Sequence, residues 1–153
     1  MRLRPLIEDI VNDVNLYPNV EINNISTNSR AIKEGSLFFA IKGSNHDGHE
    51  YISDAIKNKV SAIIANKTLK NLPVPLIKVK DTRRVLSKIA SKFYKNPSKK
   101  LKIIGVTGTN GKTTTSSLIK SIFDSAGIDA AQLGTNGLIS KYNLYKSSLT
   151  TPD

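Results

Sequence analysis

The chain has 153 residues, no cysteine, no tryptophan and a formal net charge of +11. This length fits one domain, or one domain and part of a second, and the lack of cysteine excludes disulfides, thiolate metal sites and a cysteine nucleophile. No apolar run approaches the roughly 18 residues that cross a bilayer, and Glu8, Asp9 and Asp13 interrupt the segment where a signal peptide would be apolar. The sequence therefore predicts a cytoplasmic protein without a membrane partner.

Strand-like and helix-like patterns alternate along the first 95 residues. Short apolar runs predict buried strands, whereas apolar residues at helical spacing predict amphipathic helices. In chain order the patterns predict a helix over 6–11, strands over 20–25 and 36–41, a helix over 51–57, strands over 61–65 and 76–79, and a helix over 82–95. This alternation favours an α/β fold in which helices cover a sheet.

A domain boundary is predicted near Pro97. Proline cannot continue a helix and disfavours helix at Asn96, so the polar residues 96–100 are expected to form a linker. The linker would separate a first domain, residues 1–97, from the beginning of a second, residues 98–153. In the second, the patterns predict a strand over 101–106, a helix over 113–126 ended by Gly127, a strand over 129–133, and a loop over 134–145 that could contain a hairpin.

The positive charge is concentrated in one region. Residues 55–102 contain 14 Lys or Arg and one acid, whereas the remainder holds 9 basic and 11 acidic residues. Arg83, Arg84 and Lys88 lie mostly off the apolar stripe of the predicted helix 82–95, which favours a solvated basic face. Attraction of an anionic small molecule and binding of nucleic acid are the other interpretations. Because no recognition helix, zinc finger or RNA-binding aromatic motif accompanies the charge, the sequence predicts no nucleic-acid partner.

The strongest chemical signal is a segment rich in glycine and threonine between the predicted strand 101–106 and the predicted helix 113–126. Glycines let backbone N–H groups approach a phosphate closely, and a helix N-terminus adds partial positive charge. Lys112 can reach the β- and γ-phosphates, and the Thr113 hydroxyl is placed to ligate Mg²⁺. The sequence thus predicts ATP and Mg²⁺ as cofactors, with Thr113 as the metal ligand. The candidate ATP-binding residues are Gly108, Thr109, Asn110, Gly111, Lys112, Thr113 and Thr114.

This segment departs from the strict phosphate-loop pattern G-x-x-x-x-G-K-[ST]. Val106 stands where the first glycine belongs, and Gly105 is one residue too early. Phosphate loops also normally work with a second carboxylate on a later strand. The only later acids are Asp124, Asp129 and Asp153, and none has a suitable position. We therefore expect the catalytic apparatus in this chain to be incomplete.

Three groups of residues resemble one enzyme family. Residues 107–114 (TGTNGKTT) match the loop that Mur ligases use in place of the strict pattern, and residues 28–30 with 35–49 resemble the N-terminal domain of these ligases. Residues 133–135 and 150–153 resemble the MurE type, which adds the third amino acid of the peptidoglycan stem. Asn28 departs from the family's usual D-S-R. The resemblance covers nearly the whole chain and implies a small N-terminal α/β substrate domain followed by the start of a P-loop ATPase domain.

The resemblance also implies a reaction and further site residues. The ligase would join a diamino acid, L-lysine or meso-diaminopimelate, to UDP-N-acetylmuramoyl-L-alanyl-D-glutamate (a UDP-N-acetylmuramoyl-dipeptide) through an acyl phosphate formed from ATP. Such chemistry needs neutralisation of charge more than a protein nucleophile, and no catalytic residue beyond the phosphate loop is predicted. The substrate-binding positions implied are Thr27, Ser29, Ser44, Asn45 and His46 for the uridine diphosphate, and Thr150 and Thr151 for the muramoyl-peptide end.

The family's ligases have three domains, and this chain resembles the first and the opening of the second. We expect it to be an N-terminal fragment without ligase activity of its own. Two alternatives stay open, a non-catalytic module that binds a UDP-sugar or nucleotide and a fragment of the MurF type. His46 and His49 could suggest a metal site, but the Asp47-Gly48 turn signal between them favours loop residues near a ligand.

Overall fold

The computed structural model describes residues 1–43, 46–142 and 144–145. The chain forms two compact units, Met1–Lys102 and Ile103–Asp153. The first unit holds a four-stranded sheet and the second a three-stranded sheet. No helix in the described part of the chain is long and apolar enough to cross a bilayer.

The sheet of the first unit is entirely parallel. Its strands are β1 (Asn24–Ser26), β2 (Ser36–Phe39), β3 (Ala62–Ala65) and β4 (Leu76–Lys78), and they lie in sequence order. The register pairs Ile25 with Leu37, Leu37 with Ala62, and Ile64 with Ile77. Every residue of β2 and β3 is buried, which is why these strands read as continuous apolar runs rather than as alternating patterns. The predicted α/β fold with a sheet between helices is confirmed.

Helices cover both faces of this sheet. The helices are α1 (Leu3–Ile7), α2 (Ile52–Lys57) and α3 (Thr82–Phe93). Successive residues of a strand point to opposite faces, so Leu37 and Phe39 join one buried cluster, with Leu6 and Ile89 from α1 and α3. Phe38 points to the opposite face and joins a second cluster, which contains the buried residues of α2. The result is a three-layer arrangement with a separate core on each side of the sheet.

The ends of these elements differ from the sequence predictions by a few residues. The first helix covers 3–7 rather than 6–11, and the strand predicted over 20–25 is regular only over 24–26. The earlier part of that segment binds the N-terminus instead, because Leu3 N–H donates to Val20 O and Ile22 N–H donates to Met1 O. Helix α3 begins after Asp81, whose carboxylate accepts from Arg84 N–H at 3.0 Å.

The second unit combines one helix with an antiparallel sheet. It contains α4 (Lys112–Ser125), β5 (Gln132–Gly134), β6 (Gly137–Ile139) and β7 (Leu144–Tyr145), with strand order β5-β6-β7. Gly134 pairs with Gly137 across a two-residue turn, so the segment predicted to be a loop does contain a hairpin. Gly137 has φ 84°, a conformation that glycine adopts without strain.

The strand predicted over 101–106 is wrong. These residues belong to no strand and pair with none among the described residues. Leu101, Ile103 and Ile104 are between 56% and 72% exposed. An apolar run predicts that a segment can be buried, but a β-strand exists only through hydrogen bonds to a neighbouring strand. The described residues supply no such neighbour.

Candidate functional site

The glycine-rich segment before α4 has the backbone shape that an anion site requires. Gly111, the residue immediately before the helix, has φ 77°, and Gly108 has φ 151°. Both values lie in the region that favours glycine. A Cβ built on Gly111 would meet no atom within 4 Å, so its conformation, rather than a lack of space, calls for glycine. Glycines at these two positions fold the segment into a loop at the helix N-terminus.

Lys112 lies over this loop. Its Nζ donates to the carbonyl oxygens of Gly108 at 2.5 Å and Thr109 at 3.1 Å. The backbone of the loop itself therefore holds the ammonium group in place. A positive charge in this position meets a phosphate without having to be recruited from solvent.

The first turn of α4 adds backbone donors to this charge. Thr115 N–H is the first that closes a helical hydrogen bond, to Gly111 O at 2.8 Å. The N–H groups of Lys112, Thr113 and Thr114 precede it, and helix geometry gives such groups no partner within the helix. Thr113 and Thr114 are exposed. The loop and the helix start together present N–H groups, a lysine and two hydroxyls, which is a chemical set suited to phosphate and its metal.

Gln132 of β5 forms hydrogen bonds to the start of α4, a role that the sequence analysis did not predict. This side chain is buried; its Nε2 donates to Ser116 Oγ at 2.8 Å and to Thr113 O at 3.4 Å, while Ser117 Oγ donates to its Oε1 at 3.1 Å. The one sequence signal for this role was a polar glutamine inside the predicted strand 129–133. Its bonds to the first two turns of the helix hold Lys112 and Thr113 in place.

In the first unit, the loop after β1 carries Thr27 and Ser29. Asn28 Oδ1 accepts from Arg30 N–H at 3.0 Å, and Ser26 Oγ donates to Asn28 O at 2.9 Å. Ser29 is buried and Thr27 is half-buried. An aspartate at position 28 would accept the same backbone bond. The departure from D-S-R therefore preserves the turn.

The loop after β2 carries His46. Gly43 N–H donates to His46 O at 2.8 Å, Lys42 and Asp47 form an isolated antiparallel bridge, and Gly48 N–H donates to Ile41 O at 2.8 Å. A Cβ on Gly48 would lie 2.7 Å from backbone atoms of Ile41, so no larger residue fits there. His46 is exposed and directly precedes Asp47 in this loop. The predicted residues Ser44 and Asn45 lie outside the described residues.

Asp47 fixes the base of this loop. Its Oδ2 accepts from Lys67 Nζ at 2.7 Å, and its Oδ1 accepts from His49 N–H at 3.0 Å and from His49 Nδ1 at 2.5 Å. The hydrogen bond from Lys67, followed by those from His49, holds the pKa of Asp47 well below its usual range. Nδ1 must be the donor because a carboxylate only accepts. Nδ1 of His49 is therefore bonded to Asp47 and is not available to a metal shared with His46.

Both loops leave the same edge of the sheet. Parallel strands have their carboxyl ends on one side, and the register places Ser26, the last residue of β1, beside Phe38 near the end of β2. Thr27, Ser29 and His46 therefore share the edge where ligands of parallel sheets bind. Thr150 and Thr151 lie outside the described residues.

Comparison with known proteins identifies both parts of the chain. A family model described as "Mur ligase family, catalytic domain" matches residues 21–94, and one described as "Mur ligase middle domain" matches residues 106–153. Together the two models match more than half of the chain.

Full-length relatives agree with the family models. The chain is 38% identical over 155 aligned residues to the UDP-N-acetylmuramoyl-L-alanyl-D-glutamate--2,6-diaminopimelate ligase 1 of Clostridium acetobutylicum, an alignment that covers 100% of this chain and 32% of the relative. The chain thus spans about a third of the length of the curated relatives it matches.

Solved structures show the same relationship. A structure of a ligase for 2,6-diaminopimelate shares the fold with a TM-score of 0.70 at 24% identity, over 94% of this chain and 29% of the other. The MurF ligase of Thermotoga maritima, solved in complex with ADP, gives a TM-score of 0.52 at 31% identity, over 67% of this chain and 23% of the other. The family models, the relatives and the shared fold all lead to one conclusion: the chain belongs to the Mur ligase family.

Proposed function

We propose that this chain is the nucleotide-binding part of an ATP-dependent ligase of peptidoglycan precursor synthesis. Residues 1–97 would hold the UDP-linked substrate, and residues 98–153 would open the ATP-binding domain. The observation that carries the proposal is the placement of Lys112 over the carbonyls of Gly108 and Thr109 at the N-terminus of α4. The reaction would join a diamino acid to UDP-N-acetylmuramoyl-L-alanyl-D-glutamate in the cytoplasm, where ATP is available.

On the ATP side, the chain's own residues supply binding and charge neutralisation. The N–H groups of the 108–114 loop and the Lys112 ammonium would hold the phosphates, and the Thr113 hydroxyl would contribute one oxygen ligand to Mg²⁺. An exposed hydroxyl in the first helical turn fits this role, since Mg²⁺ takes a few protein oxygens and completes its shell with phosphate and water. Bound Mg²⁺ would offset the negative charge that develops on the transferring phosphoryl group. The ADP complex of the MurF relative supports a nucleotide at this loop.

On the substrate side, the proposal assigns the uridine diphosphate to the loops after β1 and β2, with Thr27, Ser29, Ser44, Asn45 and His46 as contacts. Thr150 and Thr151 would contact the muramoyl-peptide end. Support comes from the shared sheet edge of Thr27, Ser29 and His46 and from the rigid base that Asp47 gives the second loop. The incoming amino acid would be 2,6-diaminopimelate rather than lysine, because the relatives carry that name.

Calorimetric titration of the full chain with ADP and Mg²⁺ tests the ATP side. Lys112→Ala should weaken ADP binding at least tenfold because it removes the ammonium group at the phosphates. Lys141→Ala, which deletes the same charge from an exposed position in the same unit, should change the affinity less than twofold. Equal affinities of the Lys112→Ala and Lys141→Ala variants would refute the assignment.

Two further comparisons separate the metal and the substrate. Thr113→Ala should abolish the gain in ADP affinity that Mg²⁺ produces, whereas Thr115→Ala, another exposed threonine of α4, should leave that gain intact. UDP should bind the Lys112→Ala variant with unchanged affinity and should bind His46→Ala more weakly. Loss of UDP binding in the Lys112→Ala variant, or full UDP affinity in His46→Ala, would contradict the division of the two nucleotides between the two units.

A further inference from the structure

A cavity of about 730 Å³ opens on the first unit at residues that neither nucleotide site uses. Its wall is formed by residues 9–13 and 16–17, which follow α1, by residues 78–81 at the end of β4, and by Arg84, Val85 and Lys88 of α3. None of the described residues in the segments 27–31, 42–49 and 108–114 lines it. Its volume is that of an ordinary small-molecule site.

Four basic residues line this cavity without a recorded hydrogen-bond or ion-pair partner for their side chains among the described residues. Lys78, Lys80, Arg84 and Lys88 all line it. Within the described part of the chain, none of their side chains forms an ion pair or a hydrogen bond that the structure records, although all four are exposed. Arg84 and Lys88 are four residues apart on α3 and therefore lie one above the other on the same helix face. Like charges this close repel one another, so an anion between them would be stabilised.

The three acids of the wall are already engaged elsewhere. Asp9 Oδ2 accepts from Lys92 Nζ at 2.5 Å, and this bond raises the pKa of Lys92. Asp13 Oδ1 accepts from Asn15 N–H at 2.9 Å, and Asp81 caps α3 through Arg84 N–H. Each carboxylate faces a local donor rather than a wall cation. A carboxylate that accepts from a backbone N–H keeps its negative charge, so only Asp9 is offset by a cation outside the wall, and the four basic and three acidic wall residues leave a small net positive charge.

Most of the remaining wall residues are apolar, and Asn12 is the polar exception. Ile10, Val11, Tyr17 and Val85 are half-buried, and Val79 is 8% exposed. A cavity with this floor beneath a basic rim suits a ligand that has an apolar or aromatic body and an anionic group. A phosphate monoester fits better than a carboxylate, because it carries close to two negative charges at neutral pH and presents three oxygens to Arg and Lys donors.

We propose that this cavity binds a small organic phosphate whose apolar or aromatic part lies on the floor formed by Ile10, Tyr17 and Val79 and whose phosphate lies between Arg84, Lys88 and Lys80. Its wall residues are different from those of the ATP loop and from the proposed UDP contacts Thr27, Ser29 and His46. The four basic residues of its wall all belong to the basic region of residues 55–102.

The test is a titration of the ¹⁵N-labelled full chain with phenyl phosphate, followed by amide chemical shifts. The proposal expects saturable shifts at residues 79–88, and at least tenfold weaker binding of inorganic phosphate, which lacks the apolar part. Absence of shifts at residues 79–88, or equal affinity for inorganic phosphate, would overturn it.

Matched double variants separate a site from general surface charge. Arg84→Gln with Lys88→Gln should weaken phenyl phosphate binding at least tenfold. Arg83→Gln with Lys95→Gln removes the same charge from exposed positions that do not line the cavity and should change binding less than twofold. Equal losses in the two double variants would show non-specific attraction and overturn the proposal. Lys112→Ala should leave the shifts unchanged, and their loss in that variant would also overturn it.

Discussion

Helix α4 has a glycine in a left-handed conformation at each end, and the pair allows a controlled test of the phosphate loop. Gly111 precedes the helix with φ 77°, and Gly127 follows it with φ 73°. A Cβ on either glycine would meet no atom within 4 Å. The substitutions Gly111→Ala and Gly127→Ala therefore impose the same backbone penalty without a steric clash.

The size of that penalty follows from the backbone angle. Holding alanine in the left-handed region costs about 1–2 kcal/mol, and the stiffer unfolded chain of an alanine variant returns roughly 0.4–1 kcal/mol. Each substitution should thus destabilise the second unit by about 1 kcal/mol. The two positions lie about 24 Å apart along the helix axis, so the effects on the free energy of unfolding should add in the double variant.

Only one of the two substitutions should affect the nucleotide. The Cβ of Gly111→Ala would stand at the loop where backbone N–H groups approach a phosphate, whereas that of Gly127→Ala would be at the opposite end of the helix. We expect ADP affinity, measured by calorimetry, to fall at least tenfold for Gly111→Ala and less than twofold for Gly127→Ala. Stability would be followed in parallel by hydrogen exchange of the α4 amides.

Two results would refute this reasoning. Equal loss of ADP affinity in both variants would mean that the affinity follows the stability of α4 and not the shape of the loop. Normal stability of both variants would mean that neither glycine needs its positive φ.

The other predictions concern the core, the loop bases and the start of α4. Ile64→Ala, at a fully buried position, should lower the free energy of unfolding by about 3 kcal/mol in urea denaturation; a loss below about 1 kcal/mol would contradict the two-cluster core. The pKa of Asp47 is depressed by Lys67, so its stabilisation should be full above its ordinary pKa of about 4 and decline as pH falls below that value; the stability difference from Asp47→Asn, followed from pH 6 to pH 2, checks the sign. Asn28→Asp should retain UDP affinity and Asn28→Ala should reduce it, because only the first keeps the acceptor for the next turn. Gln132→Ala should weaken ADP binding severalfold by loosening the first turns of α4, an effect that unchanged calorimetry would disprove.

Much of the first unit could be predicted from the sequence because burial and periodicity act together there. The runs at 36–41 and 61–65 are apolar after a first serine, and they contain the fully buried strands β2 and β3. The helix over 82–95 was predicted within two residues, since Asp81 supplies a cap and Pro97 prevents continuation. Local residue chemistry is sufficient for elements whose apolar residues repeat at helix or strand spacing.

The failures have the opposite origin. Residues 101–106 have the composition of a strand, yet pairing depends on a neighbour, and periodicity carries no information about whether one exists. The support that Lys67 gives to Asp47 was equally hidden, because 20 residues separate the two in sequence. Gln132 was missed for the same reason: its partners are on α4, 15 to 19 residues earlier.

Two residues of the family motifs, Asn28 and Asp47, form hydrogen bonds to the backbone at the bases of the loops after β1 and β2. Asn28 accepts from the N–H two residues later, and Asp47 does the same. Each bond starts a short 3₁₀ turn, one after β1 and one at the end of the loop after β2. A side-chain acceptor at this spacing fixes the turn without occupying any group that could face a ligand. Because Asn28 and Asp47 form these bonds, the loop bases are fixed without the side chains of Thr27 and His46, and those side chains stay available to a nucleotide at this edge.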